Sequence, residues 1–248
     1  MTKKKTIKIL SLNIHKGFSL FNRKYTLDQI KTSIRDLGLD IVCLQEVMGE
    51  HTKHARVPQF EYLADKIWNH HAYGKNAIYT QGHHGNAILS HYKIASHENI
   101  DISTNRFERR GILHGILEDP SFHHTRLHVL TLHLDLLGWG RNRQLKRLCS
   151  RIEQIPKNEP LILCGDFNDW GEVSTEILEQ GLGLQEVFMH LTGRHAATFP
   201  AAFPFLKLDR IYVRGLEIKN ISCLSQTPWR ELSDHLGLTA ELGFNEKN

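Results

Sequence analysis

The segment Gly165-Asp166-Phe167-Asn168 closes an apolar, strand-like run that begins at Leu161. Residues two apart in an extended chain lie on the same side, so Asp166 and Asn168 are predicted to face one way while Phe167 points into the core. The leading glycine lets a neighbouring backbone come close. Taken alone, the segment is more typical of an Asp/Asn-rich turn before a helix, so its meaning depends on the rest of the chain.

Other apolar runs along the chain end in residues of the same chemistry. Hydrolysis of a phosphate ester needs a hard cation on oxygen ligands, together with fixed acid and base groups around the phosphorus. Asn, Glu and Asp supply the ligands, while Asp, Asn and His supply the acid and base groups. With the first segment, these runs form a joint pattern for phosphate chemistry: Ser11-Leu12-Asn13, Leu44-Gln45-Glu46, Thr131-Leu132-His133, Leu208-Asp209-Arg210 and Ser233-Asp234-His235.

In these segments, and in residues 85–90 and Arg110-Gly111, the chain resembles the endonuclease/exonuclease/phosphatase superfamily. That superfamily includes deoxyribonuclease I, AP endonucleases, neutral sphingomyelinases and inositol polyphosphate phosphatases. The amino-acid sequences of these segments are most similar to those of a small, poorly characterised bacterial branch of the superfamily. The resemblance covers about residues 7–242 and implies a deoxyribonuclease I-like α/β fold: a four-layered α/β sandwich, with two packed mixed sheets flanked by helices. It does not choose a substrate, because the superfamily acts on nucleic acids, lipids and sugar phosphates with one scaffold.

The spacing of the motifs predicts a single domain over residues 1–248, with a core of about residues 7–242. Asn13 near the start and His235 near the end belong to one site, so the two halves of the chain must pack together. Apolar residues make up 40% of the sequence and charged residues 23%, which is ordinary for a globular protein that buries a sizeable core.

Strand-like and helix-like stretches interleave, and the strands outnumber the helices. Several strand-like runs are almost continuously apolar, as expected for strands that are covered on both faces. The pattern alone indicates only an α/β fold; together with the resemblance it favours two sheets packed face to face with helices outside. Strands are predicted at residues 7–13, 41–45, 86–90, 112–118, 127–133, 161–165, 210–213 and 236–241, and helices at residues 26–37 (capped by Thr26), 58–68, 141–155 and 173–180.

The resemblance implies a Mg²⁺ site, with Mn²⁺ able to substitute. Glu46 is then the main metal ligand, Asn13 helps to hold the water shell of the ion, and Asp234 lies near the metal or orients His235. Mg²⁺ keeps several waters and takes only one or two carboxylates, which fits this small set of ligands. Without the family pattern, Glu46 is more typical of a solvated side chain at the end of a strand.

The resemblance also assigns the acid and base groups. Asp166 orients or deprotonates the attacking water, and Asn168 binds a phosphate oxygen. Asp209 pairs with His235, which fixes the tautomer of the imidazole, raises its pKa and lets its positive charge stabilise the phosphate. His133 stands where AP endonucleases carry Tyr and where the deoxyribonuclease I and sphingomyelinase branches carry His, which argues against abasic-site cleavage. His133 either protonates the leaving oxygen or contacts a non-bridging oxygen; the sequence leaves both open.

Other basic side chains are less clearly assigned. Arg110 precedes Gly111 at a strand start and can clamp a phosphate through two N–H groups, although a solvated arginine there is equally typical and Arg109 stands beside it. Most of the 17 histidines are predicted to have no catalytic role. The polar doublets are interpreted as surface loops: residues 70–71, 83–84 and 123–124.

An apolar, proline-rich segment at residues 198–205 comes just before Leu208-Asp209 and contains Phe199, Phe203 and Phe205. A loop of this kind beside the site can stack a base or dip into lipid. It can also simply cover the end of the sandwich, since aromatic side chains usually pack. Residues 136–139, which follow His133, form a second apolar loop with the same alternatives.

Charge favours a polyanionic partner. The net charge is +4 and the isoelectric point is about 8.8, so nucleic acid is the predicted substrate of a Mg²⁺-dependent phosphodiesterase, with a phospholipid or another small phosphoester as the alternative. A catalytically inactive binding module is disfavoured, because no motif residue is missing. There is no apolar signal sequence and no run long enough to form a transmembrane segment, and the four cysteines lack zinc spacing, so a reducing, cytoplasmic location is predicted.

Overall fold

Two six-stranded mixed sheets form the centre of the protein in a computed structural model, which describes residues 6–54, 57–105, 109–122 and 125–244. The first sheet has the order β11-β12-β1-β2-β4-β3, and its strands are β1 Thr6–Asn13, β2 Ile41–His51, β3 His70–Tyr79, β4 Gly82–Ser90, β11 Leu216–Cys223 and β12 Leu238–Phe244. The second sheet has the order β5-β6-β7-β8-β10-β9, and its strands are β5 Lys93–Asp101, β6 Gly111–Glu118, β7 Leu127–His133, β8 Leu161–Asp166, β9 Gln185–Glu186 and β10 Asp209–Arg214.

Helices cover the outer faces of both sheets and complete four layers. On the first sheet lie α1 Leu27–Asp36, α2 Gln59–Ala64 and α6 Trp229–Leu232, and on the second lie α3 Gly138–Glu153 and α4 Val173–Leu182. A further short helix, α5 Val187–Thr192, packs its apolar residues into the central layer. The expected four-layered α/β sandwich is confirmed.

Each central strand divides its side chains between two cores. In β1, Ile7 and Ile9 enter the core between the sheets, whereas Leu10 and Leu12 enter the core beneath the helices of the first sheet. The same alternation in β8 sends Cys164 inward and Leu163 outward. Because the side-chain period of a strand is two, the near-continuous apolar runs are needed to fill both cores.

Buried polar side chains join the inner faces of the two sheets near one end. The Gln45 amide of β2 donates to Thr131 Oγ1 of β7 at 2.9 Å, and the Asn86 amide of β4 donates to the Gly111 carbonyl of β6 at 3.0 Å. A bond of this kind contributes only about 0.5–1.5 kcal/mol net, but leaving one partner buried and unpaired costs about 1–3 kcal/mol. These contacts therefore fix how the two sheets meet where the motif residues end their strands.

Gly165 permits a close approach of two backbones in this region. Its φ is +142°, and a Cβ atom there would fall 2.0 Å from the Leu132 carbonyl oxygen of the neighbouring strand. A side chain therefore cannot be placed at this position without moving β7 away from β8. The role predicted for this glycine is confirmed.

The predicted elements all occur, with shifted ends. The helix predicted over residues 58–68 is shorter, since α2 ends at Ala64. Thr26 precedes α1 as expected, but its hydroxyl does not cap the helix; it bonds to the carbonyls of Gly17 and Leu232. Some strands and helices of the structure were not predicted from the sequence pattern, namely β3, β5, β9, β11, α5 and α6.

The cysteines behave as predicted for free thiols. All four are free, and Cys43 and Cys164 are buried in the core between the sheets. Burial raises the pKa of the Cys43 thiol well above its ordinary value, as expected for a small apolar residue. Among the residues that the structure describes, no helix has the length and apolar character needed to cross a membrane.

Candidate active site

The inner-face residues at the ends of three neighbouring strands converge on Asp166. In the register of the second sheet, Asp166 of β8 lies between His133 of β7 and Asp209 of β10. Asn13 ends β1 of the first sheet, and its amide donates to Asp166 Oδ2 at 3.2 Å. Since these strands present the same face to the gap between the sheets, the alternation that fills the core also brings the polar side chains together at its end.

The Asp166 carboxylate is almost completely buried and is contacted on several sides. Its Oδ1 accepts the backbone N–H of Asn168 at 3.0 Å. Its Oδ2 lies 3.4 Å from His133 Nε2 and 3.6 Å from His235 Nε2. Burial raises the pKa of Asp166 to about 6, with a further push from the Asp209 charge and against the pull of His235. The group is therefore poised to exchange a proton near neutral pH.

His235 is held as a cation by two carboxylates. Its Nδ1 lies 2.9 Å from Asp209 Oδ2, and the ring of Phe199 covers it at a centroid distance of 4.9 Å. Burial by itself would lower the pKa of His235, but the charges of Asp209 and Asp166 raise it to about 10. At neutral pH the imidazolium donates one N–H to Asp209 and directs the other towards Asp166.

The segment that carries His235 is tied to the end of β1. Ser233 Oγ donates to the Asn13 carbonyl at 2.7 Å, and the His235 N–H reaches Ser233 Oγ at 3.4 Å. Between them, Asp234 is partly exposed, and its Oδ2 lies 3.7 Å from His15 Nδ1. Segments near the start and near the end of the described residues therefore meet directly at this site.

Glu46 reaches the site through an irregularity in β2. Gln45 faces inward, so strict alternation would turn Glu46 outward. The register shifts between Leu44 and Val47, and Glu46 has a left-handed φ of +54°. This bulge re-aims the side chain, as bulges beside functional sites commonly do. Glu46 Oε1 lies 3.8 Å from His133 Nδ1.

A lysine holds the other oxygen of Glu46. Lys16 Nζ lies 2.7 Å from Glu46 Oε2. Burial by itself would raise the pKa of Glu46, but His133, whenever it is protonated, and the Lys16 ammonium hold it well below its usual range. Glu46 is therefore ionised at every physiological pH.

His133 lies between the Glu46 and Asp166 carboxylates but is not a cation. Burial lowers its pKa well below the ordinary value, and the positive charge of Arg110 lowers it further, against the pull of Glu46. A neutral imidazole has one N–H donor and one acceptor, so His133 can receive a proton as well as orient one. The two site histidines thus differ in charge because their neighbours differ.

His84 was missed by the sequence interpretation, which placed residues 83–84 in a surface loop. That interpretation is wrong, because both residues lie in β4, and residues 70–71 likewise lie in β3. Burial lowers the pKa of His84 to about 4, against the pull of Glu46 and with help from the charges of Lys16 and Arg110. Its place directly before the family segment at residues 85–90 was the available signal. The third doublet, residues 123–124, lies outside the described residues.

Asn168 is buried beside Asp166, although not in the way the alternation predicted. The strand ends at Asp166, and Asn168 has a left-handed φ of +48°, which asparagine tolerates better than most residues. Its amide donates one N–H to the Leu134 carbonyl at 3.0 Å, which leaves the second N–H for another acceptor. Phe167 enters the outer core against Tyr212, as expected.

The apolar loops divide into packed and exposed side chains. Phe199 packs on His235, whereas Phe203 and Phe205 are 76% and 62% exposed. The second apolar loop likewise exposes its large side chains: Leu136, Leu137 and Trp139. The loop after Asn168 adds an exposed Trp170, which sequence reasoning did not single out.

The sequence model of the Endonuclease/Exonuclease/phosphatase family matches residues 10–235. The chain belongs to this family. It is 42% identical to the uncharacterised protein YbhP of Escherichia coli K12, across 97% of this chain and 98% of YbhP. The resemblance predicted from the motifs is confirmed.

Solved structures of the family share the fold. The endonuclease/exonuclease/phosphatase from Bacteroides vulgatus superposes with a TM-score of 0.80 at 19% identity, covering 98% of this chain and 100% of that one. D. rerio TDP2 in complex with a single-stranded DNA product gives 0.74 at 19% identity, covering 96% and 99%. The human Nocturnin catalytic domain with a bound sulfate anion gives 0.75 at 20% identity, covering 97% and 94%.

Divalent metals are common in this family, and two groups of residues here can be tested against one. Among the described residues, Asp166, Asp209 and His235 bring ligand atoms within 4.8 Å of one another. The hydrogen bond between His235 Nδ1 and Asp209 Oδ2 already joins two members of this group, so the group fits a shared proton better. Glu46 fits a cation: it is ionised, it follows Gln45, the residue that pairs with Asn13 across the two strands, and it already has a positive charge against one oxygen.

Replacing Asp209 with Asn should lower the pKa of His235. The amide still accepts a hydrogen bond, but one of the two charges that favour the imidazolium is lost, so the pKa should fall from about 10 by roughly 1–3 pH units. Because folding raises this pKa, the His235 charge stabilises the wild-type fold below the unfolded value of about 6.5, and the contribution disappears as pH rises through about 10.

The measurement is an NMR titration of His235, assigned by comparison with His235→Gln. Asp234→Asn is the matched control, because Asp234 adjoins His235 in sequence and adds the smallest of the charge effects on it. An unchanged His235 pKa in Asp209→Asn, or an equal fall in Asp234→Asn, contradicts the pairing.

Proposed function

We propose that the protein is a Mg²⁺-dependent phosphodiesterase, a single domain in which Mn²⁺ can replace Mg²⁺. The observation that carries the proposal is the position of the Asp166 carboxylate, buried between a neutral histidine, His133, and a cationic one, His235. A carboxylate with a pKa of about 6 beside a fixed imidazolium suits a reaction in which water loses a proton and a phosphate gains charge.

Each side chain has a role that its contacts support. Asp166 orients the attacking water and accepts its proton, and Asn13 and the Asn168 backbone hold the carboxylate in place. His235 keeps its charge through Asp209 and stabilises the negative phosphate. His133 faces the same Asp166 oxygen as His235, from β7, and either protonates the leaving oxygen or contacts a non-bridging oxygen of the phosphate.

Two further donors serve the phosphate oxygens. Asn168 has one amide N–H that is not used by Leu134, and this group binds an oxygen of the substrate. Arg110 lies near His133 and His84, since its charge lowers the pKa of both histidines. Its guanidinium therefore adds positive charge beside these two side chains.

Glu46 would hold the metal ion directly, with Asn13 and Asp234 contacting its water shell. When bound, such an ion supplies Lewis-acid stabilisation of the phosphate charge. The role of the protein is to keep Glu46 ionised and aimed by its bulge into the gap between the sheets.

Glu46→Ala should abolish metal-dependent hydrolysis of bis-p-nitrophenyl phosphate and leave the fold intact, because a single anionic ligand is lost from a bulge within β2. Turnover and Mn²⁺ affinity are measured at limiting metal. Glu50→Ala is the matched control, since Glu50 lies in the same strand and is exposed. Turnover within threefold of wild type in Glu46→Ala contradicts the metal assignment, and hydrolysis by no variant under any metal favours an inactive binding module.

Nucleic acid is the substrate that the charge favours. The net charge is +4, and a neighbour of the same fold, D. rerio TDP2, was solved with a single-stranded DNA product. A second neighbour, human Nocturnin, holds a sulfate anion, which has the shape and charge type of a phosphate. The exposed aromatic rings beside the site, Trp139 and Trp170, each lie under an arginine, an arrangement that also suits stacked bases.

A phospholipid is the second candidate, and one observation favours it. The exposed side chains of the two apolar loops include Leu136 and Leu137, which cannot stack on a base, as well as Phe203 and Phe205 at a loop tip. Exposed Leu, Phe and Trp near basic residues are typical of surfaces that enter the boundary of a membrane.

Salt dependence separates the two substrates. If the substrate is a nucleic acid, log K for binding should fall steeply with log[salt], because phosphate contacts release counterions, and DNA or RNA should be cleaved with Mg²⁺ or Mn²⁺. Phe203→Ser with Phe205→Ser tests the lipid alternative, and Leu191→Ser, an exposed apolar residue of α5, is the control. Absence of nuclease activity, together with vesicle hydrolysis that disappears only in the double Phe variant, contradicts the nucleic-acid assignment.

A further inference from the structure

A left-handed turn directly after the first motif aims Lys16 at the site. His15, Lys16 and Gly17 have φ values of +45°, +58° and +80°. Only the glycine adopts this conformation freely, and the two side-chain-bearing residues each cost on the order of 1 kcal/mol or more. Consecutive left-handed residues persist only where the surroundings enforce them, so the turn has a purpose beyond connecting β1 to α1.

Buried hydrogen bonds enforce this turn. Asn13 Oδ1 accepts the His15 N–H at 3.0 Å, so the motif asparagine begins the turn. Gln59, which is completely buried, donates from Nε2 to the Lys16 carbonyl at 2.8 Å and accepts the Met48 N–H at 2.8 Å. Met48 lies two residues after Glu46 in the same strand. Gln59 therefore fixes the backbone of Lys16 relative to the strand that carries Glu46.

The result is a cation held against the proposed metal ligand. Lys16 Nζ lies 2.7 Å from Glu46 Oε2, and the lysine side chain is 34% exposed. A partly exposed Lys–Glu pair contributes little to stability, typically below about 1 kcal/mol, so stability does not account for a strained turn that places it. The ammonium and a divalent cation are both attracted to this oxygen, and they repel each other.

The charges around the site indicate which group the Lys16 ammonium would contact once it leaves Glu46. Among the described residues, the carboxylates at the gap include Glu46, Asp166, Asp209 and Asp234, and the cations beside them include Lys16, Arg110 and His235. These carboxylates repel a phosphate anion until a divalent cation offsets part of their charge. The lysine side chain is a flexible four-carbon chain, and its exposure leaves it room to turn from Glu46 towards solvent and an incoming anion.

We propose that Lys16 binds the substrate only after a metal ion has bound. In the metal-free protein its ammonium pairs with Glu46. When Glu46 binds the metal ion, the ammonium is released and binds a phosphate oxygen of the substrate. The inference rests on the proposed metal-dependent function. Metal binding then frees the lysine that phosphate binding uses. Because such coupling is reciprocal, each ligand strengthens the binding of the other.

The test is calorimetric titration of the whole protein, first with Mn²⁺ alone and then with inorganic phosphate in the absence and presence of Mn²⁺. In Lys16→Met the competing ammonium is gone, so Mn²⁺ should bind about three- to tenfold more tightly than in wild type. Phosphate should bind the Mn²⁺-loaded variant roughly tenfold more weakly, since one charge-assisted contact is lost.

Matched variants keep the result interpretable. Lys16→Arg should retain most of the coupling between Mn²⁺ and phosphate. Lys219→Met should match wild type, because Lys219 makes a comparable pair with Glu217 on an outer strand. Lys16→Gln repeats the charge removal with a polar side chain, and thermal melting verifies that each variant is folded.

Two outcomes overturn the inference. If Mn²⁺ binds Lys16→Met and Lys16→Gln no more tightly than wild type, the ammonium does not compete with the metal ion. If Mn²⁺ changes the phosphate affinity of these variants as much as that of wild type, the lysine is not released to the phosphate. Failure of the proposed function is distinguishable: then wild type does not bind Mn²⁺, or Glu46→Ala binds it equally well.

Discussion

A carboxylate buried where two sheets meet is the constraint on which the site depends. Asp166 ends a strand of one sheet and is held by Asn13 from the other, so its position is set by how the sheets pack. Burial raises its pKa to about 6, and the cation at His235 offsets part of that cost. The close approach at Gly165 and the polar bridge from Gln45 to Thr131 keep the strands at the spacing these contacts need.

The sequence predicted the interior of the fold better than its margins. Runs such as β7 and β8 are apolar on both faces because both cores must be filled, and they were recognised on that ground. The four strands that escaped prediction are the edge strands of the two sheets: β3, β5, β9 and β11. Edge strands are covered on fewer sides and carry polar residues, as in the largely exposed β5, so no apolar run marks them.

The candidate site divides in the same way. Residues that follow the regular period of their strands, such as His133 and Asp209, could be placed from the sequence once the family pattern supplied the motifs. Residues that depart from it could not be placed. Glu46 is aimed by a bulge and Lys16 by a left-handed turn, and both depend on contacts with chain segments distant in sequence. A single sequence contains no signal for such local departures, and the polar character of His84 suggested a loop instead of an inward-facing strand residue.

The central claim is that Asp166 is buried for chemistry and not for stability, and Asp166→Asn tests it most directly. Folding disfavours the charged form of this carboxylate, so its loss should leave the melting temperature within about 4 °C of wild type. Mn²⁺-dependent hydrolysis of bis-p-nitrophenyl phosphate should fall by about 10²–10⁴-fold, because the group that accepts the proton of water is gone. Hydrolysis within threefold of wild type in a folded, Mn²⁺-binding Asp166→Asn protein would contradict the account.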